Sequence, residues 1–276
     1  MVPEPFPMLA LSKRVAPMIT VLSPAKSLDY QSSVRCNDFT LPAFTGKSRE
    51  LIGILKKKSA NDIQSLMSVS ESLAEENVER YTSWKASRKP GPKARQAAFA
   101  FKGDVYLGLD FPTLKARERV YAQRHLRILS GLYGILKPLD LMAPHRLEMG
   151  TSLENPKGRS LYAFWNGTQT EFLNEEAARN GSKYLLNLAS EEYFKSIDRT
   201  ALKTEVITPR FLDSKDGKNY RVMSFYAKRS RGTMARWVIQ NSIEDPDALI
   251  SYAEDGYRYD AAGSESDRPT FIRSHA

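Results

Sequence analysis

The chain has 276 residues, 41% of them hydrophobic, a single cysteine and a formal net charge of +9. That size allows one large domain or two small ones with a sizeable core, and no run approaches the roughly 20 apolar residues needed to span a bilayer, so no membrane partner is expected. Cys36 alone allows no intrachain disulfide and points to a reducing compartment; with only His125, His145 and His275 beside it, neither a zinc ribbon nor a cysteine-ligated iron–sulfur cluster can be built, and no metal or cofactor is expected.

Residues 1–17 carry a short apolar patch broken by Pro3, Pro5 and Pro7, with Lys13 and Arg14 after it rather than before. This is the wrong order for a secretory signal, and the segment reads as a disordered extension or as the product of a start codon upstream of Met18. Met18 to Ser23 predicts a buried strand closed by Pro24, which puts Lys26 at its carboxyl end, where α/β sheets place ligands. Lys26 is suited to a phosphate or carboxylate, with Asp29 to orient it. From Gly46 to Trp84 the apolar spacing is helical, and Ser70 opens the third helix with Glu71 in its first turn. Arg88 to Pro92, RKPGP, is a break, and Lys93 to Phe101 returns to helix with Arg95 outside. Lys102 to Tyr106 reads as a turn into a short strand, with Lys102 and Asp104 expected as a local ion pair rather than a catalytic pair.

Glu118 to Gly150 is the segment around which the chain is organised. At 100° per residue its first half predicts one helix with Tyr121, His125, Ile128, Leu132 and Tyr133 inside and Arg119, Gln123, Arg124 and Arg127 outside. Gly131 and Gly134 then turn the chain, and Pro138 follows Lys137. A helix followed by a glycine hairpin is one way to set backbone amides and arginines against a phosphate; the plainer reading is that the glycines only turn the chain. Arg146 lies close to His145 and Glu148 and is suited to bidentate anion contacts.

Downstream, Leu161 to Asn174 predicts a helix, Tyr184 to Leu188 a strand, and Ser190 the cap of a helix over Glu191 to Ser196. Val206 to Leu212 and Tyr220 to Tyr226 flank Asp216-Gly217 as an expected hairpin, which makes the sheet mixed. Lys228, Arg229, Arg231 and Arg236 are expected to begin the next helix, unfavourably for its dipole unless an anion offsets them. Eight acids between Glu244 and Asp267 either lie over the basic surface or form a separate solvated loop. The excess charge is localised: residues 88–137 hold eleven Lys/Arg against three acids, a surplus of eight in a chain of net +9. Such a segment is the footprint of polyanion binding or, more plainly, a solvated basic surface.

Several stretches resemble the peroxide stress protein YaaA family: Met18 to Tyr30 (MITVLSPAKSLDY), Ala94 to Ala97 with Ala100 to Tyr106, His125 to Gly134, Arg146 to Gly150, Leu188 to Lys195, and Ser224 to Lys228. They occur in one order across nearly the whole chain from Met18. The resemblance implies a cytoplasmic bacterial protein of the peroxide response that lowers damage from unincorporated iron. It also implies DNA binding through a helix-hairpin-helix-like element in one mixed α/β domain, taken as residues 18–273 with a mixed sheet surrounded by helices. The hairpin departs from the usual pattern, since Gly131 and Gly134 are separated by two residues rather than one.

The leading expectation is therefore a DNA-binding stress protein that needs no obligate protein partner and takes duplex or distorted DNA. Arg124, Arg127, Gly131, Gly134, Lys137 and Arg146 form its contact near the hairpin, and Lys26, Arg95, Lys102, Lys228 and Arg231 broaden it. Weak sequence specificity and steep salt dependence go with it. The alternative is an enzyme acting on a nucleotide or other small anion, with Lys26, Lys102, Asp104, Arg146 and Glu148 in one pocket. A concave site gathering those five, with perturbed carboxylate or lysine pKa values, favours chemistry; a broad basic groove favours nucleic acid. Direct iron storage is disfavoured by the ligand count.

Overall fold

Ile19, Thr20 and Val21 are β-branched, Pro24 denies the chain a further ladder donor, and the five residues between are fully buried as strand β1 (Met18–Leu22). The computed structural model describes residues 17–275, so the extension expected over residues 1–17 lies, apart from Pro17, outside the described residues. After β1 come β2 (Ser27–Leu28), α1 (Thr45–Leu55), α2 (Ala60–Met67), α3 (Glu71–Ser83), β3 (Arg95–Gln96), α4 (Ala97–Ala100), β4 (Phe101–Lys102), α5 (Asp104–Leu109) and α6 (Ala116–His125). The middle of the chain holds β5 (Leu126–Ser130), β6 (Gly134–Leu136), β7 (Leu141–Met142), α7 (Leu161–Trp165), α8 (Thr168–Asn180), β8 (Tyr184–Leu188) and α9 (Glu191–Phe194). The last part holds β9 (Glu205–Ile207), β10 (Arg210–Ser214), α10 (Ser224–Asn241), β11 (Arg258–Tyr259) and β12 (Thr270–Ser274).

The main sheet has the order β6-β5-β1-β8-β9. β5, β1, β8 and β9 are parallel and β6 returns antiparallel to β5, so the sheet is mixed and the fold is mixed α/β. A second sheet of order β10-β12-β11 carries the carboxyl end, and β2–β4 and β3–β7 form two short ribbons. One hydrophobic cluster runs through the molecule from Met18 to Phe271. No helix among the described residues is long and apolar enough to cross a membrane.

The helix expected across residues 118–133 is not formed. α6 ends at His125, and Leu126 to Ser130 joins the sheet, with Thr20 opposite Leu126 and Leu22 opposite Ile128. Pairing with a fully buried strand outweighs the local 3.6-residue spacing, because the Leu-Arg-Ile-Leu-Ser run is buried at every position, which no surface helix allows. Gly131 and Gly134 do turn the chain, but between β5 and β6, with Ser130 opposite Gly134. The hairpin joins two strands of the sheet, and a helix-hairpin-helix element is not what this segment forms.

Other local expectations change for similar reasons. The helix expected over Lys93 to Phe101 is reduced to the single turn of α4, because Arg95–Gln96 pairs with Leu141–Met142 on one side and Phe101–Lys102 with Ser27–Leu28 on the other. Val105 and Tyr106 belong to helix α5, not to a strand. The strand expected over Tyr220 to Tyr226 is cut to one bridge, Asp213 to Arg221, because α10 starts at Ser224. α10 crosses α5 at two glycines: a Cβ on Gly232 would collide with the Val105 carbonyl oxygen, and one on Gly108 with the Arg229 carbonyl oxygen. The crossing is close because neither residue has a side chain, and it carries Lys228 and Arg231 to the carboxyl edge of the sheet.

Candidate functional site

β1 and β8 are neighbours in register, Met18 opposite Tyr184 and Leu22 opposite Leu188, so their chains leave the sheet side by side. The two exits are tied together. The Ser190 amide donates to Ser23 Oγ at 2.8 Å, Ser23 Oγ lies 3.2 Å from Ser190 Oγ, and the Tyr106 hydroxyl donates to the Ser23 carbonyl at 3.1 Å. Ser190 stands at the start of α9, but its hydroxyl caps no amide there, contrary to expectation, because it turns to Ser23. The β2–β4 ribbon sets Ser27 opposite Lys102, which brings Lys26 and Lys102 to the same rim.

The third wall is the segment His145 to Gly150. It is pressed against the tip of the β5–β6 hairpin, where a Cβ on Gly131 would overlap the Leu147 carbonyl oxygen and lie 3.0 Å from its carbon. The Tyr81 hydroxyl donates to the Arg146 carbonyl, and the Gly150 amide donates to Glu192 Oε1 at 2.9 Å. Arg146 holds Glu148 through Nε at 3.0 Å and Nη2 at 2.8 Å, and Lys26 Nζ reaches the other oxygen of Glu148 at 3.0 Å.

These walls enclose a cavity of about 420 Å³ lined by Lys26, Lys102, Asp104, His145, Arg146, Glu148, Glu192, Lys228 and Arg231 among others. All five residues of the small-anion alternative meet there, together with Lys228 and Arg231 of the DNA expectation. Lys102 and Asp104 do not form the expected ion pair; neither side chain has a hydrogen-bond or ion partner within the described residues, and both stand at the cavity. Lys228 and Arg231 are likewise without a side-chain partner. The cavity therefore has five cations against three acids, and only Lys26 and Arg146 are in ion pairs.

His145 Nδ1–H donates to the Ala143 carbonyl at 2.9 Å, which leaves Nε2 as the acceptor of a neutral ring. Burial pushes its pKa down to about 4. Sequence alone gives this histidine a structural role, and its packing edge-on against Tyr133 supplies one; it also lines the cavity.

The remaining cations lie elsewhere. Arg95 pairs with Asp29 at 3.3 Å, donates to the Ser32 carbonyl at 2.6 Å and covers the Tyr30 ring. Ser32, which donates to Asp29 from both hydroxyl and amide, together with Arg95 holds that carboxyl at about 2. Arg124 is in the last turn of α6 just before β5, Arg127 sits at the start of β5, and Lys137 follows β6, which returns to the same edge; this is the end of the sheet opposite the cavity. Arg127 is not on an outer basic face. It is 1% exposed, pairs with buried Glu176, and donates to the carbonyls of Gln123, Leu126 and Arg124. As a strand residue it points into the helix layer, where Lys137 also reaches Glu176 at 3.3 Å. Burial alone would raise the Glu176 pKa; Arg127 and Lys137 reverse that and lower it. The hairpin carbonyls of Gly131 and Gly134 accept from Trp165 and Gln169, so these glycines serve the packing of α7 and α8. Lys228, Arg229, Arg231 and Arg236 stand inside α10 rather than at its start, and Arg236 closes the end of α5 by donating to the Leu109 and Asp110 carbonyls at 3.1 and 2.8 Å.

A family model described as "Peroxide stress protein YaaA" matches residues 18–263. The chain is 50% identical over 258 residues to a "UPF0246 protein" of Hahella chejuensis, covering 94% of this chain and all of that one. It is also 50% identical over 257 residues to a "UPF0246 protein" of Polynucleobacter asymbioticus, covering 93% of this chain and 99% of that one.

Proposed function

This chain belongs to the peroxide stress protein YaaA family, and from that premise we propose that it serves the peroxide-stress response by binding DNA through phosphates held at the cavity on the carboxyl edge of its main sheet. One observation carries the reading: Lys102, Lys228 and Arg231 converge on that cavity with no acid paired to any of them. Cations gathered in excess of acids, with no carboxylate paired to them, repel one another, and a phosphate relieves that repulsion while accepting their hydrogen bonds. The contacts are to backbone, so binding discriminates poorly between sequences. Damage from unincorporated iron is limited, in this reading, at the nucleic acid itself.

The test is a salt titration of DNA affinity by fluorescence anisotropy. Each phosphate contact contributes about −0.9 to the slope of log K against log salt, so K102E with K228E should lower affinity and make the slope shallower by about 2. R124E at the far edge should change neither. An unchanged slope for the double variant overturns the placement. A second reading, an enzyme acting on a nucleotide or another small anion, is favoured by the free carboxylate of Asp104 and the acceptor Nε2 of His145 at the same cavity. Turnover of a phosphate ester that D104N abolishes would establish it; absence of any turnover removes it.

A further inference from the structure

The chain leaves β8 through a bend at Ala189 and enters α9 at Glu191, and its residues divide between two sides. Leu188, Ser190 and Glu192 line the cavity described above, whereas Asn187, Ala189 and Glu191 line a second one of about 930 Å³ on the other side. The end of β8 is thus a partition. Among the described residues, Arg231 is the one that lines both cavities. It reaches them from α10.

Arg231 is half-buried and its guanidinium has neither a hydrogen bond nor an ion pair. Burial lowers its pKa, and no carboxylate opposes the effect. A guanidinium partly withdrawn from water and left unpaired is unfavourable, and an incoming anion is what would satisfy it. The second cavity adds exposed Arg199 and Arg268 without ion partners, while Arg210 is tied to Thr270 and the Gly263 carbonyl. It also presents apolar surface from Phe211, Ala227 and Val222, the last 59% exposed. The two compartments differ in size, and both mix cations, acids and apolar side chains, the larger one including Glu191, Glu265 and Asp267, with Arg231 between them.

We propose that the two cavities form one site for two successive nucleotides of an unpaired DNA strand, the phosphodiester joining them resting on Arg231 and one nucleoside lying on each side of the partition. The proposal rests on the phosphate-binding reading above and narrows it. A duplex carries its phosphates on the outside of a wide rod and cannot bring one to a recessed guanidinium; an unpaired strand can splay its bases apart and lower the phosphate between them.

The experiment is competition against a labelled oligothymidine on the full chain, using the dinucleoside monophosphate TpT, thymidine 5′-monophosphate, inorganic phosphate and a duplex of equal length. TpT is expected to displace the label at concentrations about tenfold or more below thymidine 5′-monophosphate, and R231Q to remove that advantage, the size expected for losing charge-assisted hydrogen bonds. R231Q should melt no lower than the wild type, since it deletes an unpaired, half-buried cation; R231K should keep part of the affinity. R268Q, at the rim of the larger compartment, should weaken TpT while leaving thymidine 5′-monophosphate unchanged. If duplex binds but TpT competes no better than inorganic phosphate, the two-compartment site is wrong and the phosphate-binding reading stands. If neither oligothymidine nor duplex binds, both fall. If R231Q and R268Q both leave TpT competition intact, Arg231 is not the bridge.

Discussion

Gly131 tests whether the hairpin tip sets the cavity wall. Its Cα faces the backbone of Leu147, and a methyl group there would overlap the Leu147 carbonyl oxygen and approach the Leu147 and Glu148 carbonyl carbons at 3.0 and 3.2 Å. The obstacle is backbone on both sides, so no rotamer change relieves it. Gly131 is held in place because Trp165 donates to its carbonyl at 2.8 Å, while the facing segment is held by Tyr81 and Glu192. Overpacking of a filled interior costs ~1–3 kcal/mol, and a clash with two anchored backbones belongs at the upper end. At roughly 2–4 °C per kcal/mol for a chain of this order, G131A should melt on the order of 10 °C below wild type by calorimetry. The strain should move Arg146 and Glu148 together, because they share the displaced segment, so DNA affinity measured well below the melting point should fall as well. A variant that melts and binds as the wild type does would refute the reasoning, and one that is destabilised but binds normally would show that the wall moves away from the cavity rather than within it.

Three further outcomes follow from interactions away from the cavity. R127A leaves Glu176 buried with only Lys137 and Arg179 beside it, and removing one partner of a buried pair costs ~3–5 kcal/mol, to be read as a lower denaturation midpoint in urea. The His145 ring, held neutral with its pKa near 4 against an ordinary 6.5, is protonated first in the unfolded chain. Its contribution is whole above pH 6.5 and is lost as pH falls from 6.5 toward 4, a change of ~3 kcal/mol that H145Q should flatten in unfolding curves taken across that window. Asp213, fully buried, accepts from Arg273 Nε, His275 Nε2 and the Tyr257 hydroxyl at 2.8, 2.8 and 2.7 Å, so D213A should loosen β10 and β12 by ~3–5 kcal/mol, seen as faster amide exchange confined to those strands.

The elements legible in the sequence are those whose signals are local. β1 has β-branched residues and a proline stop, α3 has Ser70 accepting from the Leu73 amide, and β8 has an apolar run; all three lie where their residues place them. Residues 126–130 defeat the same approach because a five-residue run buried on both faces carries no amphipathic period, and the preceding helical spacing runs straight into it. Asp216-Gly217 gives a turn with Gly217 at φ +71°, but the returning strand is replaced by α10, whose packing against α5 is a long-range event. The cavity was half legible. Lys26, Lys102 and Arg146 stand on quoted motifs, and the acids Glu244 to Asp267 divide as neither expectation had it: Asp255 lies 3.7 Å from Arg229, while Glu265 and Asp267 line the second cavity. Arg199 and Arg268 gave no signal, since surface arginines so far apart in the chain meet only through the sheet.

The short link from β8 to α9, which serves both cavities, makes the length of that segment as constrained as its composition. Adding or removing one residue between Leu188 and Ser190 would part the Ser190 amide from Ser23 and turn Glu192, on α9, away from the Gly150 amide, because each helical position rotates by about 100°. Substitutions there alter one compartment at a time, but a change of length by a single position disturbs both.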